Sequence, residues 1–234
     1  MKRWLKRIAL GILLLIGVGI VWGWIAHEPL PEGTSPKEAD VLAEKMLTAL
    51  NAEAYKNTRY LEWSYQGGKN QYKWDKTMGR CEVRWDTNEV QLNLNRPEIS
   101  IVRKDGKRIQ GNEAQELIEK ALAYFNNDSF WLVAPYKVFD AGTHRSLVAL
   151  EDGSQGLLVS YSAGGTTPGD HYLWLLDADN QPKSYKMWVQ ILPIGGLEAS
   201  WDSWITSESG AVLPNRHQLG PLTLGMGNVK GYNE

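Results

Sequence analysis

The stretch that decides the fold runs from Arg59 to Leu94 and reads RYLEWSYQGGKNQYKWDKTMGRCEVRWDTNEVQLNL. Apolar and polar residues alternate along it with a period of two, which is typical of strands that bury one face. Glycines and short polar residues interrupt the alternation, as turns between strands require. This stretch therefore predicts antiparallel strands joined by short turns. The residues predicted to share the buried face are Leu61, Trp63, Tyr65, Tyr72, Trp74, Cys81, Val83, Trp85, Val90, Leu92 and Leu94.

The meander continues beyond residue 94. Ile99 and Ile101 start another strand, and Lys104-Asp105-Gly106-Lys107 follows it. An Asp-Gly pair between strands favours a type I′ hairpin, because both central residues then need positive φ. We expect about five strands in this half of the chain.

A second β-rich region begins after residue 140. The candidate strands are residues 145–150, 156–162, 171–177, 183–191, 197–206 and 211–219. Turn residues separate them. Residues 222–234 contain three glycines and little periodicity, so no element is predicted there.

Two helices accompany the strands. Ser35, Pro36 and Glu38 form a capping-box pattern, and apolar residues at helical spacing follow it, which predicts a helix over 36–51. A second helix is predicted over 113–125, where apolar residues mark one face, and Asn126-Asn127-Asp128 is expected to end it. The aromatic stretch from Phe130 to Tyr136 then predicts a short helix or turn that packs into the sheet.

Together these elements predict an α+β, mainly β fold. A strongly curved antiparallel sheet, a half-open barrel with the helices on its concave face, would bury every apolar stripe. No break divides residues 35–234, so a single domain is expected, preceded by a linker over 27–34, where two prolines and a glycine occur.

The N-terminal region predicts a membrane anchor. Residues 8–26 carry no charge, and 19 residues span about 28 Å as a helix, close to the hydrocarbon thickness of a bilayer. Lys2, Arg3, Lys6 and Arg7 precede this segment and should stay in the cytoplasm, so the rest of the chain is expected on the extracytoplasmic, periplasmic side of the inner membrane. A cleaved signal peptide is the alternative, but the bulky sequence Trp22-Gly23-Trp24-Ile25 disfavours a peptidase site.

Charge and cysteine content narrow the classes of partner. Without the four basic residues of the anchor, 21 basic residues stand against 27 acidic ones, about −6, which disfavours nucleic acid as a partner. The single cysteine, Cys81, permits no intrachain disulfide and is expected to be a buried apolar residue.

One segment resembles a known group of proteins. Asn127-Asp128-Ser129-Phe130-Trp131-Leu132-Val133-Ala134-Pro135-Tyr136-Lys137, followed by Asp140-Ala141-Gly142, is similar to a segment of an uncharacterised family of bacterial envelope proteins. The predicted layout also resembles the lipoprotein-carrier superfold of the LolA, LolB, LppX and RseB type. That resemblance implies an apolar cavity under a half-open barrel, and a ligand that is an acyl chain, a lipid or a lipidated protein. The known carriers diffuse freely or are held by a lipid. The predicted transmembrane anchor of this chain would prevent it from carrying a ligand across the periplasm by itself.

Eleven tryptophans are far more than a chain of 234 residues usually has, and most outside the anchor fall on predicted strands. They favour either an aromatic cavity for an acyl chain or a filled core, while a sugar-stacking surface would use the same residues. The candidate cavity residues are Trp63, Trp74, Trp85, Phe130, Trp131, Leu132, Tyr136, Trp174 and Trp188.

Catalysis, metals and cofactors are not predicted. His144, His171 and His217 lack a second ligand at metal-binding spacing. Asp170-His171 with Ser160 or Ser162 is a possible hydrolytic group, but no Gly-x-Ser-x-Gly elbow accompanies it. The sequence thus favours a lipid-binding domain, with a filled protein-protein adaptor or a hydrolase as alternatives.

Overall fold

The computed structural model describes residues 27–163 and 168–234. In this part of the chain, three helices accompany fifteen strands, so the fold is α+β and mainly β, as predicted. The helices are α1 (Pro36–Ala49), α2 (Ala52–Asn57) and α3 (Asn112–Val133). The strands of the first half are β1 (Tyr60–Tyr65), β2 (Asn70–Asp75), β3 (Arg80–Trp85), β4 (Asn88–Asn93), β5 (Ile101–Lys104) and β6 (Lys107–Ile109). Those of the second half are β7 (Thr143–Ala149), β8 (Gln155–Tyr161), β9 (Asp170–Leu176), β10 (Pro182–Trp188), β11 (Leu197–Ser200), β12 (Ser203–Thr206), β13 (Val212–Leu219), β14 (Leu222–Gly225) and β15 (Lys230–Tyr232).

Two antiparallel sheets replace the single curved sheet that the sequence predicted. Sheet one has the order β15-β1-β2-β3-β4-β5-β6, and sheet two has the order β12-β13-β11-β10-β9-β8-β7, with β14 beside β13. The physical reason is α3, which separates β6 from β7, so strands β7 to β14 pair among themselves, while β15 returns to pair with β1 in sheet one. The two sheets meet at Met226, whose N–H donates to the Asn215 carbonyl of β13 and whose carbonyl accepts from the Ser64 N–H of β1.

The predicted alternation of the first half is confirmed. Leu61, Trp63 and Tyr65 are buried on β1, and the residues between them are partly exposed. The predicted hairpin after β5 is also confirmed, because Asp105 and Gly106 both have positive φ. Six consecutive strands form where about five were expected.

Helix α3 is longer than predicted. The sequence Asn126-Asn127-Asp128 does not end the helix, which continues to Val133 and includes Phe130, Trp131 and Leu132 in its last turn. Helix propensity is a weak preference, and tertiary contacts overrode it here: Asp128 is buried and hydrogen-bonded to sheet one.

The first helix begins at Pro36, as predicted, but its C-terminal end and its N-terminal cap differ from the prediction. It stops at Ala49, and the separate helix α2 follows. The predicted capping box does not form, because Ser35 has φ 51° and its side chain makes no capping hydrogen bond, whereas an N-cap residue needs extended backbone angles. The helices also cover different strands: α1 packs on β7 and β8 of sheet two, and α3 packs on β4 and β5 of sheet one and on β13 of sheet two.

The region 197–206 contains two strands instead of one, and the tail contains strands that the sequence did not predict. Trp201 and Asp202 separate β11 from β12. Strand β14 pairs with β13, and β15 pairs with β1. These pairings depend on partners far away in the sequence, which is why local periodicity missed them.

Residues 27–34 lie along the outer face of sheet two, and we call them the strap. The strap begins at Glu28, whose N–H donates to the Gly195 carbonyl over 3.0 Å, and ends at Thr34, which exchanges two backbone hydrogen bonds with Leu147 of β7. Near Thr34 the strap lies directly on the sheet, since a Cβ at Gly33 would lie 1.9 Å from the Ser146 Oγ. The strap therefore follows the sheet instead of standing away from it.

The predicted anchor, residues 8–26, lies outside the described residues. In residues 27–163 and 168–234, no helix combines the length and the apolarity that a membrane span requires.

Candidate functional site

The nine side chains predicted to line one cavity are distributed over several parts of the fold. The core of sheet one contains Trp63, Trp74, Trp85 and Leu132. The core of sheet two contains Phe130 and Trp174, and Trp131 and Tyr136 contact both cores. Trp188 lies on the outer face of sheet two.

Phe125 of α3 is the centre of the aromatic core of sheet one. The Trp74 ring meets it edge-on at 5.2 Å between centroids, and the Trp63 ring lies 6.3 Å away. Trp63 also stacks on Tyr72 at 4.5 Å. Trp63 and Trp85 are each 3% exposed. These indoles therefore fill the space between sheet one and α3.

Asp128 is a buried carboxylate at the end of this core. It accepts hydrogen bonds from the Tyr72 hydroxyl at 2.5 Å, and from the side-chain amides of Asn70 and Asn127 at 2.8 Å each. Burial raises the pKa of Asp128, and the three hydrogen bonds oppose this shift without cancelling it. The network ties α3 to β2.

The core of sheet two packs aromatic rings against one another. Trp174 and Trp201 are both 0% exposed, and their centroids are 5.0 Å apart with the rings at 70°. Tyr185 meets the Trp174 ring edge-on at 5.1 Å. The Nε1 atoms of Trp174 and Trp201, like those of Trp63 and Trp74, are buried without a hydrogen-bond partner in the described residues. Edge-on ring contacts are the arrangement that such N–H groups tolerate best.

The last turn of α3 lies at the seam between the two cores. Trp131 is partly buried and contacts residues of both. Its ring lies 5.7 Å from Tyr185 and 5.2 Å from His217, both of sheet two. Phe130 packs on Tyr172 at 4.8 Å. This is the segment that the sequence predicted as an aromatic plug, and it joins the sheets.

His217 is a fully buried ionisable group of sheet two. It is 0% exposed, with Nδ1 2.8 Å from the Ser200 carbonyl and Nε2 2.7 Å from the Trp131 carbonyl. A neutral imidazole donates only one hydrogen bond, so one carbonyl faces a nitrogen lone pair. Burial lowers the pKa of His217, although both carbonyls favour the charged form. His217 therefore holds the last turn of α3 on β13.

Tyr136 connects the helical layer to sheet two. Its hydroxyl donates to the Leu50 carbonyl at 3.0 Å and to the Val212 carbonyl, and its ring stacks on Tyr55 at 3.9 Å. Lys76 lies over the other side of Tyr55, 3.7 Å from its ring centroid, and burial lowers the pKa of Lys76 to about 8. These contacts give Tyr136 a structural role.

Trp188 lies on the opposite side of sheet two from Trp174. Its Nε1 donates to the Glu28 carbonyl of the strap at 2.8 Å, and Lys186 pairs with the Glu28 carboxylate at 2.8 Å. The parity of β10 could have shown this: Tyr185 and Met187 are buried inside, so Lys186 and Trp188 must face outward.

A depression of about 330 Å³ lies on the outer face of sheet one. Tyr60, Ile99 and Ile101 provide apolar surface, and Arg80 and Gln91 provide polar groups. The surrounding charges are largely paired, but no ion pair or hydrogen bond engages the Arg80 guanidinium within residues 27–163 and 168–234. The paired groups are Asp75 with Arg59, Lys73 with Glu62, and Glu82 with Arg84. Cys81 also borders the depression, but its thiol is buried, which raises its pKa.

Ser160 and His171 form the contact that the hydrolase alternative required. Ser160 Oγ lies 2.7 Å from His171 Nδ1 across β8 and β9. Burial lowers the pKa of His171, so the neutral form is favoured. Asp170 precedes His171 on the same strand and so faces the other side of the sheet, where it accepts from the Gln190 N–H at 2.9 Å. Asp170 therefore cannot orient the His171 ring as the acid of a triad.

Local patterns did not predict the roles of Asp128, His217 and Arg80: Asp128 was expected to end a helix, His217 was considered only as a metal ligand, and Arg80 was not considered. Asp128 follows Phe125 by three residues and thus falls on the buried face of an extended α3. Metal chemistry has no support, since the described residues contain no group of three or more His, Cys, Asp or Glu side chains that could hold an ion.

These features define the chain as a mainly β domain with two packed aromatic cores and, on one outer face, a depression lined by both apolar and polar side chains. No model of a known protein family and no curated protein matches the chain. The likeness to envelope proteins and to lipoprotein carriers therefore remains a prediction from the sequence.

Proposed function

We propose that this chain is a membrane-tethered adaptor domain on the extracytoplasmic side of the inner membrane, without catalytic activity. In this proposal, residues 8–26 hold the chain in the membrane, and the outer face of sheet one binds an acidic, partly apolar segment of a partner protein. The observation that carries the proposal is the depression beside Arg80 on that face.

The charges around the depression favour an acidic ligand. Asp75 pairs with Arg59 at 3.0 Å, and Glu82 pairs with Arg84 at 2.9 Å, so these carboxylates are neutralised locally. The guanidinium of Arg80 has no such partner in the described part of the chain. Arg presents a planar fork of donors that matches a carboxylate.

The apolar part of the ligand would lie beside Arg80. Ile99 is 49% exposed, and Ile101 and the Tyr60 ring continue the same surface. An exposed apolar patch rimmed by polar residues is typical of a protein-binding site. A segment that carries a carboxylate next to an aliphatic side chain would use both parts of the depression.

The packed interior supports the adaptor over the acyl-binding alternative. Trp63, Trp85 and Trp174 are at most 3% exposed and contact other rings. An acyl chain needs a cavity of a few hundred Å³, and in this packing the indole rings take up that space. The outer depression needs no rearrangement.

Charge reversal at Arg80 tests the proposal. A photo-crosslinking residue at Gln91, in the full chain and in cells, should form an adduct with an acidic segment of the partner. We expect Arg80→Glu to lower the adduct yield at least about tenfold, the equivalent of about 1.4 kcal/mol. Mass spectrometry of the adduct identifies the bound segment.

Arg84→Glu is the matched control. Arg84 lies four residues from Arg80 on the same face of β3, but it pairs with Glu82 and Glu89. We expect this variant to change the yield less than about twofold. If both variants lose adduct yield equally, the loss comes from general repulsion between the added carboxylate and the acidic segment, and the specific role of Arg80 is contradicted. A basic or purely apolar segment in the adduct would also contradict the proposal.

A second candidate is the carrier function implied by the sequence resemblance, and one observation favours it. Trp131 and Phe130 are partly exposed at the seam between the sheets, where Met226 links β1 to β13. We propose that, if the chain binds an acyl chain, the two sheets act as the walls of a half-open barrel and the last turn of α3 acts as the plug.

Binding of a fluorescent fatty acid to the full chain tests this candidate. Trp131→Ala should weaken binding by about 1–3 kcal/mol through lost apolar contact. Trp188→Ala, on the outer face, is the control and should bind as the parent does. A parent protein that does not bind the probe would end the carrier hypothesis and leave the adaptor proposal unaffected.

A further inference from the structure

The turn between β10 and β11 carries an apolar tip that no described residue covers. Residues 189–196 read VQILPIGG and contain no charged residue. Ile191 is 68% exposed and Leu192 is 36% exposed, although Val189 at the start of the same turn is buried. By contrast, the turn at the opposite end of β10 contains Asp177 and Asp179.

The base of this turn is fixed. The Leu192 N–H donates to the Val189 carbonyl at 3.1 Å, which makes a tight turn with Ile191 at its tip. The Gln190 N–H donates to the Asp170 carboxylate at 2.9 Å. Val189 is only 8% exposed and anchors the turn in the core of sheet two. The turn thus presents its apolar tip in a defined direction.

The chain enters the fold at this turn. The Gly195 N–H donates to His27 Nδ1 at 3.0 Å, and the Glu28 N–H donates to the Gly195 carbonyl at 3.0 Å. His27 directly follows the uncharged segment 8–26, and consecutive Cα atoms are about 3.8 Å apart. The strap is held on the sheet from Glu28 onward, so no slack remains between that segment and the turn.

We propose that the turn 189–196 inserts Ile191 and Leu192 into the interface of the same bilayer that holds residues 8–26. The inference goes beyond the adaptor function and shares with it only the predicted anchor. The partner of this turn is a lipid surface, because the uncharged segment 8–26 ends one residue before His27, which accepts a hydrogen bond from the turn. Leu30, 41% exposed on the neighbouring strap, extends the apolar contact.

Fluorescence quenching of the full chain in phosphatidylcholine vesicles tests this proposal. An environment-sensitive probe is attached at Ile191→Cys, and lipids with a nitroxide near the headgroup serve as quenchers. We expect blue-shifted emission and quenching at least about threefold stronger than for the same probe at Ala178→Cys. Ala178 is exposed in the turn at the other end of β10. The seven residues of β10 span about 20 Å, so a probe there should lie well away from a membrane that contacts Ile191. The parent chain, whose Cys81 is buried, gives the labelling background.

A third probe separates the possible failures. At Leu14→Cys it reports on the anchor itself, and it should be quenched by lipids with a deep nitroxide. If Leu14 is quenched but Ile191 is no more quenched than Ala178, the membrane contact is refuted and the turn is free for a protein partner. If Leu14 is not quenched, the anchor fails, and both the membrane contact and the tethering in the adaptor proposal are overturned.

Discussion

Sheet one and sheet two bury ionisable groups of opposite kind at the two faces of α3. The Asp128 carboxylate of α3 accepts from two donors of sheet one and one of α3, and the His217 imidazole of sheet two lies between the carbonyls of Ser200 and Trp131. Burial raises the pKa of Asp128 and lowers that of His217, so both groups are shifted toward their neutral forms. The comparison teaches that the two halves should respond to acid in opposite directions.

The largest expected effect concerns the ring-on-ring core of sheet two. Trp174→Ala removes a side chain that is 0% exposed and contacts Tyr185 and Trp201. We expect the free energy of unfolding to fall by about 3–5 kcal/mol, because the cavity adds to the lost apolar transfer. Urea unfolding of the full chain in detergent measures it.

Trp188→Ala is the matched control for this experiment. The Trp188 indole packs on the outer face and donates to the strap, so its loss should cost only about 1–2 kcal/mol. A cost for Trp174 as small as that for Trp188 would show that the core of sheet two is not tightly packed.

The carboxylate network of sheet one should give the next largest effect. Asp128→Ala leaves the Tyr72 hydroxyl and the Asn70 amide without their acceptor. We expect a loss of about 2–3 kcal/mol, since unsatisfied buried donors are costly. Asp128→Asn retains the shape and one acceptor, and should cost less in the same urea titration. Equal stability of the Ala variant and the parent would contradict the network.

The pH dependence sharpens the comparison itself. The folded pKa of Asp128 is raised, so its contribution to stability is full below the unfolded value of about 3.9 and is lost as the pH rises through the folded pKa. The folded pKa of His217 is lowered, so its contribution is present above about 6.5 and is lost as the pH falls through the folded pKa.

Two variants separate these contributions. In the parent protein, acidification from about pH 6.5 to 4 should lower the contribution of His217 to the free energy of unfolding and raise that of Asp128. The first change should be absent in His217→Gln, and the second should be absent in Asp128→Asn. Each unit of pKa shift is worth about 1.4 kcal/mol. Unfolding titrations at several pH values measure the slopes. If both substitutions change the pH slope of the free energy of unfolding with the same sign, the two sheets do not respond to acid in opposite directions.

The smallest effect is expected at the surface of sheet one. Lys104 of β5 pairs with Glu113 of α3 at 2.7 Å, and both side chains are about half exposed. Lys104→Ala should cost less than about 1 kcal/mol, because solvent and salt screen exposed pairs. Thermal unfolding at low and high salt measures it; a larger, salt-independent cost would show that the alkyl chain of Lys104 supports the hairpin instead.

Local patterns predicted the strands well because their information is local. Leu61, Trp63 and Tyr65 alternate with more polar residues because only one face of β1 is buried. Asp105 and Gly106 form a turn because both residues adopt positive φ. The division into two sheets was not predictable in the same way. It depends on α3, which separates β6 from β7. The pairing of β14 with β13 and of β15 with β1 was also missed, because their residues, such as Gly225 and Gly231, carry little pattern.

The candidate site was predicted less well than the fold. Trp63 and Trp174 were correctly assigned to inward faces, but alternation does not say which sheet a strand joins, so residues of two cores were combined into one cavity. Asp128 was taken for the end of a helix because Asn and Asp are weak helix formers. Its partner Tyr72 lies 56 residues earlier, beyond any local window.

The junction at Met226 has a consequence for the order of synthesis. Strand β1 leaves the ribosome long before its neighbour β15, since Lys230 and Glu62, which contact each other, are 168 residues apart. Until then, one edge of β1 has unpaired backbone groups, and such edges invite pairing with other chains. Nascent chains interrupted before residue 222 should therefore be the species most exposed to proteases and to aggregation.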